Sequence, residues 1–366
     1  MFVKQLELVQ FRNYKAVSVN FKKNINIIIG HNAQGKTSLI EAMYVLSTTK
    51  SHRTNKDSQL ILFAEDFARI KADIKREHDE FELMLSISKK GKKAIYNGIP
   101  QKKLSDYVGK LIVVMFAPED LSLVKGGPQY RRRFMDMEIG QMSPTYLYHL
   151  GQYNKLLKQR NELLKQLRAK RTDELLLEVL TEQIVPHAIY LVKKRIDFLQ
   201  QLQIFASEIH GEISNQKEKI SFQYLNSFKE IALDEGTVLK KYKDLYNQDI
   251  QTGSTSIGPH RDDFVVSINE INTHQFGSQG QQRTASLSIK LAEIELIYSI
   301  LGEYPILLLD DVLSELDDIR QTQLLNTIKN KVQTFITTTN IDGIDEKMIN
   351  LADVFIIDNA EIRIGD

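Results

Sequence analysis

No cysteine occurs in the 366 residues. Disulfides, thiolate metal sites and cysteine nucleophiles are thereby excluded together, and a reducing, cytoplasmic setting is the expectation. The eight histidines are scattered, with no HExxH pair or other ligand spacing, so zinc chemistry is not expected either. No run of 18 or more apolar residues exists, and neither a membrane span nor a membrane partner is expected. The amino terminus, Met1-Phe2-Val3-Lys4-Gln5-Leu6-Glu7, lacks an apolar signal core, which argues against export. Charge of one sign is missing too. Lys and Arg number 48 against 47 Asp and Glu, a net charge of +1, so there is no global basic signal for nucleic acid. What is left is the composition of an ordinary globular protein, 42% hydrophobic and 26% charged, long enough for about two or three domains.

Against this background stand three motifs, in order and far apart. The first is Gly30-His31-Asn32-Ala33-Gln34-Gly35-Lys36-Thr37, two glycines with four residues between them followed by Lys and Thr. This is the phosphate-loop pattern, in which glycines let the backbone curl around a triphosphate and present N–H groups to it. Lys36 would reach the outer phosphates and Thr37 would place its hydroxyl on Mg²⁺. The helix that follows would point its positive end at the same anion. The flanks are right: Asn24-Ile25-Asn26-Ile27-Ile28-Ile29 reads as a buried strand, and Leu39, Ile40, Met43, Tyr44 and Leu46 recur at helical spacing. A nucleoside triphosphate, with ATP the expected one, is the ligand.

The third motif has the opposite charge. Ile306-Leu307-Leu308-Leu309-Asp310-Asp311 reads as a buried parallel strand ending in acid, and ligands of open α/β sheets collect at the carboxyl ends of the strands. Taken alone, such a run could equally be a strand ending in an ordinary turn. Paired with the phosphate loop, Asp310 can hold Mg²⁺ beside Thr37, and Asp311 can polarise the attacking water. Most of the chain separates Lys36 from Asp310, so something large is inserted between two halves of one ATPase.

The organisation along the chain supports this. Residues 1–30 alternate like strands, with Phe11-Arg12-Asn13-Tyr14 in a turn. Further β-like segments run from about Arg69 to Ile95, Asn97-Gly98 is a hairpin turn, and Leu111–Phe116 is another apolar strand. After Gly126-Gly127-Pro128, apolar residues fall at helical intervals, Leu147 through Leu167 and then Leu175 through Leu202, enough for a helix pair. The fold class is therefore α/β: residues 1–128 and 258–366 form a discontinuous ATPase head with a mixed β-sheet core, and 129–257 form an inserted α-helical subdomain.

Ser278-Gln279-Gly280-Gln281-Gln282 is the middle motif, ahead of a helical stretch from Ala285 to Leu301. By itself it could be a flexible polar loop. Ser278 can instead cap the helix, leaving free N–H groups for phosphate. In ABC-type ATPases a Ser-x-Gly-Gln loop serves the nucleotide of the other subunit, and Ser314-Glu315-Leu316-Asp317 resembles the loop by which such protomers sense each other.

With these segments, and with Ser51-His52-Arg53, Ala117-Pro118-Glu119-Asp120-Leu121, Arg131-Arg132-Arg133-Phe134-Met135-Asp136 and Gly258-Pro259-His260-Arg261-Asp262-Asp263, the whole chain resembles the RecF family. These are bacterial recombination-mediator ATPases of DNA repair and replication, related to the SMC group. The resemblance implies an ABC/SMC-type ATPase head with a weak, Mg-dependent and DNA-stimulated ATPase. It implies an ATP-dependent homodimer that binds single-stranded and gapped or junction DNA. It further implies RecO and RecR as partners in loading RecA, with a place in the SOS response. Carried over, Lys36 and Asp311 are catalytic and Thr37 and Asp310 hold Mg²⁺. Gly30, His31, Asn32, Ala33, Gln34, Gly35, Lys36, Thr37 and Ser38 bind ATP, and Ser278, Gly280 and Gln281 contact the partner's γ-phosphate. Arg12 and Arg53 are further nucleotide contacts. Three positions depart from the pattern: His31 replaces an acidic residue, Ser38 replaces the usual Asn, and Thr337-Thr338-Thr339-Asn340 stands where transporter ATPases have a switch histidine. The last suggests slow, gated hydrolysis.

For DNA the local candidates are the basic turn at Lys89–Lys93, Lys102-Lys103 and Arg131-Arg132-Arg133, although charge runs are usually solvated faces. Rival readings are a transporter ATPase, an SMC-type protein and a defence- or nuclease-coupled ATPase of the same superfamily. The first would need a membrane-coupling surface, the second far longer coiled coils, and the third an appended acidic nuclease domain.

Overall fold

Two apolar patterns alternate along the first part of the chain, and each builds its own sheet. In the computed structural model, β1 (Phe2–Phe11) and β2 (Tyr14–Asn20) form a hairpin across Arg12-Asn13. Next, β3 (Ile25–Ile29) departs for a second sheet and runs through the glycine loop into α1 (Lys36–Thr48). The chain then returns to the first sheet with β4 (Phe67–Lys75), β5 (Glu80–Ser88), β6 (Gly91–Tyr96) and β7 (Ile99–Pro100), in the order β2-β1-β4-β5-β6-β7. Alternating burial along β4 and β5 marks one face packed and one wet. Asn97 and Gly98 join β6 to β7 with φ of 48° and 75°, the paired positive values that an Asn-Gly hairpin turn requires. The structure describes residues 1–169, 174–229, 231–313, 320, 321, 324, 331–340 and 346–364.

The chain divides into two compact units, Met1–Asp120 with Leu287–Asp366, and Leu121–Ser286. The first unit holds both sheets named so far, the second of which gains β8 (Val113–Phe116). In the second unit, α2 (Leu121–Lys125) and α3 (Pro128–Met142) lead to two long helices, α4 (Pro144–Ala169) and α5 (Glu174–Ile213), which pack on each other. Helix α5 continues through Pro186, and half of its most apolar window is buried within the fold. After it come β9 (Ile220–Leu225), α6 (Glu235–Asp244), α7 (Tyr246–Thr252), β10 (Asp263–Ile268), β11 (Ile271–Asn272) and α8 (Thr273–Phe276). The division drawn from the sequence at 257/258 falls inside this unit, because β10 pairs along its whole length with β9. Helix α9 (Gln279–Leu301) then carries the chain back to the first unit.

Buried charge pairs cross-link the second unit alongside its apolar packing. Arg195 donates to Asp136 Oδ1 at 2.8 Å and to the Pro259 carbonyl at 2.6 Å. Arg160, with no exposed side-chain surface, donates to Asp249 at 2.8 Å, Thr255 Oγ1 at 2.6 Å and Thr181 Oγ1 at 3.1 Å. Arg131 forms a two-pronged pair with Asp263, at 2.7 and 2.8 Å, and Arg132 donates to the Asp262 carbonyl. The arginine run is thus no open patch for nucleic acid at Arg131: its guanidinium is buried and already matched to a carboxylate.

The second sheet of the first unit positions the site. Its remaining strands are β12 (Ile306–Asp310), β13 (Thr334–Thr338), β14 (Ala352–Asp358) and β15 (Glu361–Ile364), in the order β15-β14-β3-β13-β12-β8. All neighbours are parallel except β15 on β14, which makes the sheet mixed. Ile306, Leu307, Leu308 and Leu309 are all at zero exposure, each worth about 1.5–3 kcal/mol over the exposed state. Helix α1 packs across β12, β13 and β8. Because β3, β13 and β12 run in one direction, the glycine loop, Thr337-Thr338 and Asp310-Asp311 emerge at the same edge.

Candidate functional site

The glycine loop begins where β3 ends, and both of its glycines are sterically required. A Cβ on Gly30 would stand 2.5 Å from the Ile357 carbonyl oxygen. At Gly35, φ is +122°, and a Cβ would meet Asn13 Nδ2 and Tyr14 Oη at 2.8 Å. Neighbouring elements pin the loop. Tyr14 Oη donates to the Gly35 carbonyl at 3.1 Å and Asn13 Nδ2 to that of Gln34 at 3.3 Å. From the β14–β15 turn, Asn359 N donates to Gln34 Oε1 and Ala360 N to the Gln34 carbonyl. Lys36 folds back so that Nζ donates to the carbonyls of Gly30 and His31. Burial lowers the Lys36 pKa, while the charges of Asp311 and Asp310 oppose the drop. The loop delivers the start of α1, whose first N–H groups have no intrahelical acceptor, to the same place.

Opposite the loop stands the acid pair. Thr37 Oγ1 donates to Asp310 Oδ1 at 3.1 Å, a contact between residues 273 positions apart. Thr337 Oγ1, from the strand between, donates to the same oxygen at 2.7 Å. Burial raises the Asp310 carboxyl above its ordinary range, a rise that hydrogen bonds from Thr337 and Thr37 and the charge of Arg53 only partly offset. Asp311 has φ of 55°, an uncommon conformation for a residue with a side chain, and its N–H donates to Thr337 Oγ1 at 2.9 Å. Strain of this kind collects at functional sites. It turns the chain as it leaves the sheet and leaves Asp311 exposed on the cleft wall.

The donor set fits a magnesium ion. Two cis ligands of an octahedral ion at about 2.1 Å lie roughly 3 Å apart, and the Thr37 and Asp310 oxygens are separated by 3.1 Å. Among the described residues no three His, Cys, Asp or Glu side chains cluster as a metal cage.

A residue the sequence reading passed over organises the near wall. Glu41 of α1 has no exposed surface and receives Arg12 Nε at 2.8 Å, Arg12 Nη2 at 2.6 Å and Ser51 Oγ at 2.5 Å, with Arg53 Nη1 at 3.8 Å. Burial alone would raise its pKa. The hydrogen bonds from Arg12 and Ser51 and the charges of Arg12 and His52 outweigh that and hold the carboxyl below its ordinary value. Arg12 and Arg53, read as nucleotide contacts, both line the cleft, but two nitrogens of Arg12 are already committed to Glu41. A carboxylate inside the buried stripe Leu39-Ile40-Glu41-Ala42-Met43 was the available signal, since a buried charge demands a partner.

The cleft so formed has a volume of about 880 Å³. Asn32, Ala33, Gly35, Lys36, Thr37 and Ser38 line it, together with Asp311 and Thr337, whereas Gly30, His31 and Gln34 are not among its lining residues. Ser278, Gly280 and Gln281 belong to the second unit and line no part of it. There Ser278 caps α9: its Oγ accepts from Gln281 N at 3.2 Å while Gln281 Oε1 accepts from Ser278 N at 3.0 Å. This reciprocal pair is a capping box. Gln281 Nε2 also donates to Glu218 at 2.8 Å. Ser314-Glu315-Leu316-Asp317 lies outside the described residues.

The family model described as the RecF/RecN/SMC N terminal domain matches residues 2–362. Curated relatives called DNA replication and repair protein RecF are similar over the whole chain. That of Oceanobacillus iheyensis is 50% identical over 370 residues, covering 99% of this chain and 100% of its own. That of Bacillus cereus (strain AH820) is 50% identical over 371 residues, covering 99% and 98%. A solved structure of the recombination mediator protein RecF with ATP in the RecFOR pathway aligns with a TM-score of 0.92 at 34% identity, covering 100% of this chain and 98% of that one. An Smc head domain from Pyrococcus furiosus, 16% identical with a TM-score of 0.54, shares the fold alone.

Proposed function

The chain belongs to the RecF family of DNA replication and repair proteins, and from that premise we propose that it is an ATP-gated DNA clamp. The observation that carries the proposal is the bond between Thr37 and Asp310, which closes a phosphate loop onto the acidic end of β12 at one edge of a parallel sheet. Lys36 holds the outer phosphates in place of the two carbonyls it now caps, and Thr37 and Asp310 hold Mg²⁺. Held there, Mg²⁺ would supply Lewis-acid neutralisation of phosphate charge. Asp311 orients the attacking water and accepts its proton. Arg53, with 45% of its side chain exposed, faces the nucleotide while Arg12 is braced by Glu41. Without a switch histidine at Thr337–Asn340 the turnover is slow.

Ser278, Gly280 and Gln281 act on the nucleotide of a second copy, so ATP is sandwiched and the protein dimerises on it. The capping box supports this reading in that it fixes the first turn of α9, whose positive dipole end favours an anion. Closure builds the DNA surface, and hydrolysis reopens it. In the cytoplasm the clamp acts at single-stranded gaps and junctions with duplex, stimulated by DNA and assisted by RecO and RecR in loading RecA. The molar mass of the Asp311→Asn protein, measured by light scattering with and without Mg-ATP and then with gapped duplex, tests the clamp. A nucleotide-dependent doubling followed by DNA capture is expected. A monomer that binds DNA equally well without ATP would overturn the gating.

A further inference from the structure

The first turn of α9 is held from outside the helix as well as by its own cap. The capping box occupies one end of the Gln281 amide, since Oε1 accepts from Ser278 N at 3.0 Å. The other end goes to a residue 63 positions away: Nε2 donates to Glu218 Oε1 at 2.8 Å. A carboxylate can only accept and a backbone N–H can only donate, so these two neighbours select one orientation of the amide and oppose its flip. Glu218 is itself fixed. It lies on the connection between α5 and β9, where its N–H donates to Ser214 Oγ at 3.3 Å. One residue on, Lys219 N donates to Asn269 Oδ1 at 2.9 Å, and the Lys219 carbonyl accepts from Asn269 N at 2.9 Å. The second carboxylate oxygen, Oε2, stands 3.3 Å from Nε2 of His210, a side chain of α5 with no exposed surface. Burial lowers the His210 pKa, with the Glu218 charge opposing the drop. Capping α9 needs only Ser278 and Gln281, so the acid and the histidine do something more. Ser278, Gln279 and Gly280 are exposed, whereas Gln281 is half-buried against this support.

We propose that Glu218 is a positioning residue of the nucleotide sandwich. It fixes the Gln281 amide so that the second hydrogen on Nε2, which neither of these bonds uses, serves the γ-phosphate bound by a second copy. The proposal rests on the reading that Ser278, Gly280 and Gln281 close over that copy's ATP. Glutamine is among the side chains with most rotamer freedom to lose on being ordered. One that is placed before closure loses less of it on docking, which tightens association without a new contact.

Dimer dissociation constants of the full chain in Mg-ATP, measured by sedimentation equilibrium in the Asp311→Asn background, test it. Glu218→Asp keeps the charge but falls one methylene short of Gln281. It should weaken the dimer about tenfold, because each dimer contains the contact twice. Glu218→Gln keeps the reach and an acceptor oxygen, and should dimerise close to the parent. In a Gln281→Ala background the Glu218→Asp change should add nothing, since its effect passes through that amide. Ser278→Glu is the control: a carboxylate on the exposed turn repels the γ-phosphate and should abolish the nucleotide-dependent doubling. If Ser278→Glu dimerises like the parent, the turn does not meet a second copy's nucleotide, and that reading falls together with the inference. With the control behaving, a Glu218→Asp dimer as tight as the parent's overturns the positioning role alone. Equal losses for Glu218→Asp and Glu218→Gln would assign the effect to charge, and a further loss in the Gln281→Ala background would assign it to another route. Either result also overturns the role.

Discussion

Two buried carboxylates, one in each unit, are paired with arginine in different ways. Asp249 meets Arg160 with neither side chain exposed, and the remaining bonds of that arginine go to Thr255 and Thr181. Glu41 is equally buried, but the side chains of its arginines are 19% and 45% exposed and line a cleft. The first pair is sealed from water on both sides. It joins helices and loops that are distant in sequence, and its output is a defined fold. The second is a buried anchor whose arginines keep part of their side chains in water, and its output is a charged wall of the cleft. Complete burial on both sides makes a tether, whereas burial on one side makes a site.

The sharpest break in that contrast is expected at the acid pair. Asp311→Asn should slow ATP hydrolysis about 10²- to 10⁴-fold, the usual worth of a positioned base, while the thermal midpoint stays near that of the parent. A steady-state phosphate-release assay beside a melting curve reads both. If stability falls instead, Asp311 belongs with the structural charges.

Next comes the tether. Arg160→Met strands Asp249 in the interior and should cost about 3–5 kcal/mol in urea unfolding. The double variant Arg160→Met with Asp249→Leu should recover much of that, because two apolar side chains leave no buried charge. No recovery would show that the pair contributes more than its own neutralisation.

Glu41→Gln sharpens the comparison from the other side. It keeps the shape but removes the charge that Arg12 and Arg53 share, so about 1–3 kcal/mol of stability should go together with a several-fold rise in the KM for ATP. The analogous Asp249→Asn should cost stability without that KM effect. Glu41 also contributes acid sensitivity. Its folded pKa lies below the unfolded value, so its stabilisation is complete above that unfolded value and disappears as pH falls through the lowered folded one.

The smallest effect is expected at His260 in the second unit, bonded to Tyr153 Oη at 2.6 Å and the Thr255 carbonyl at 3.1 Å. Burial depresses its pKa to about 4. The unfolded chain therefore binds the extra proton first, and stability contributed by neutral His260 is whole above about pH 6.5 and drains away as pH falls toward 4. Unfolding curves at pH 7 and 5 should differ less for His260→Gln than for the parent. An unchanged difference would remove this residue from the account.

Much of the site was legible because its grammar is local. Gly30 and Gly35 are where a backbone must pass close to Ile357 and Tyr14, and Lys36-Thr37 follow at helix-start spacing. The four aliphatic residues before Asp310 spell a strand buried on both faces. Other quoted segments were legible only as marks of kinship. Phe11-Arg12-Asn13-Tyr14 proved to be the turn that braces the phosphate loop, and Arg131, Asp136 and the Gly258–Asp263 stretch proved to be parts of the buried charge network. Thr337 was legible only as standing where a switch histidine would be, and Glu41 carried no motif at all, being an acid in a buried helix.

What the chain's own letters determined is the strand–loop–helix at Gly30–Thr37, the buried strand before Asp310 and the long helices, though not strand β9 inside the stretch read as helical. The elements so determined depend on steric and hydrophobic preferences a few residues in range. Which charges would be spent on structure and which left for a ligand was decided only in three dimensions. A carboxylate or guanidinium is defined by its partners, and those of Asp310, Glu41 and Arg131 stand at Thr37, Arg12 and Asp263, brought within about 3 Å by strand order and packing.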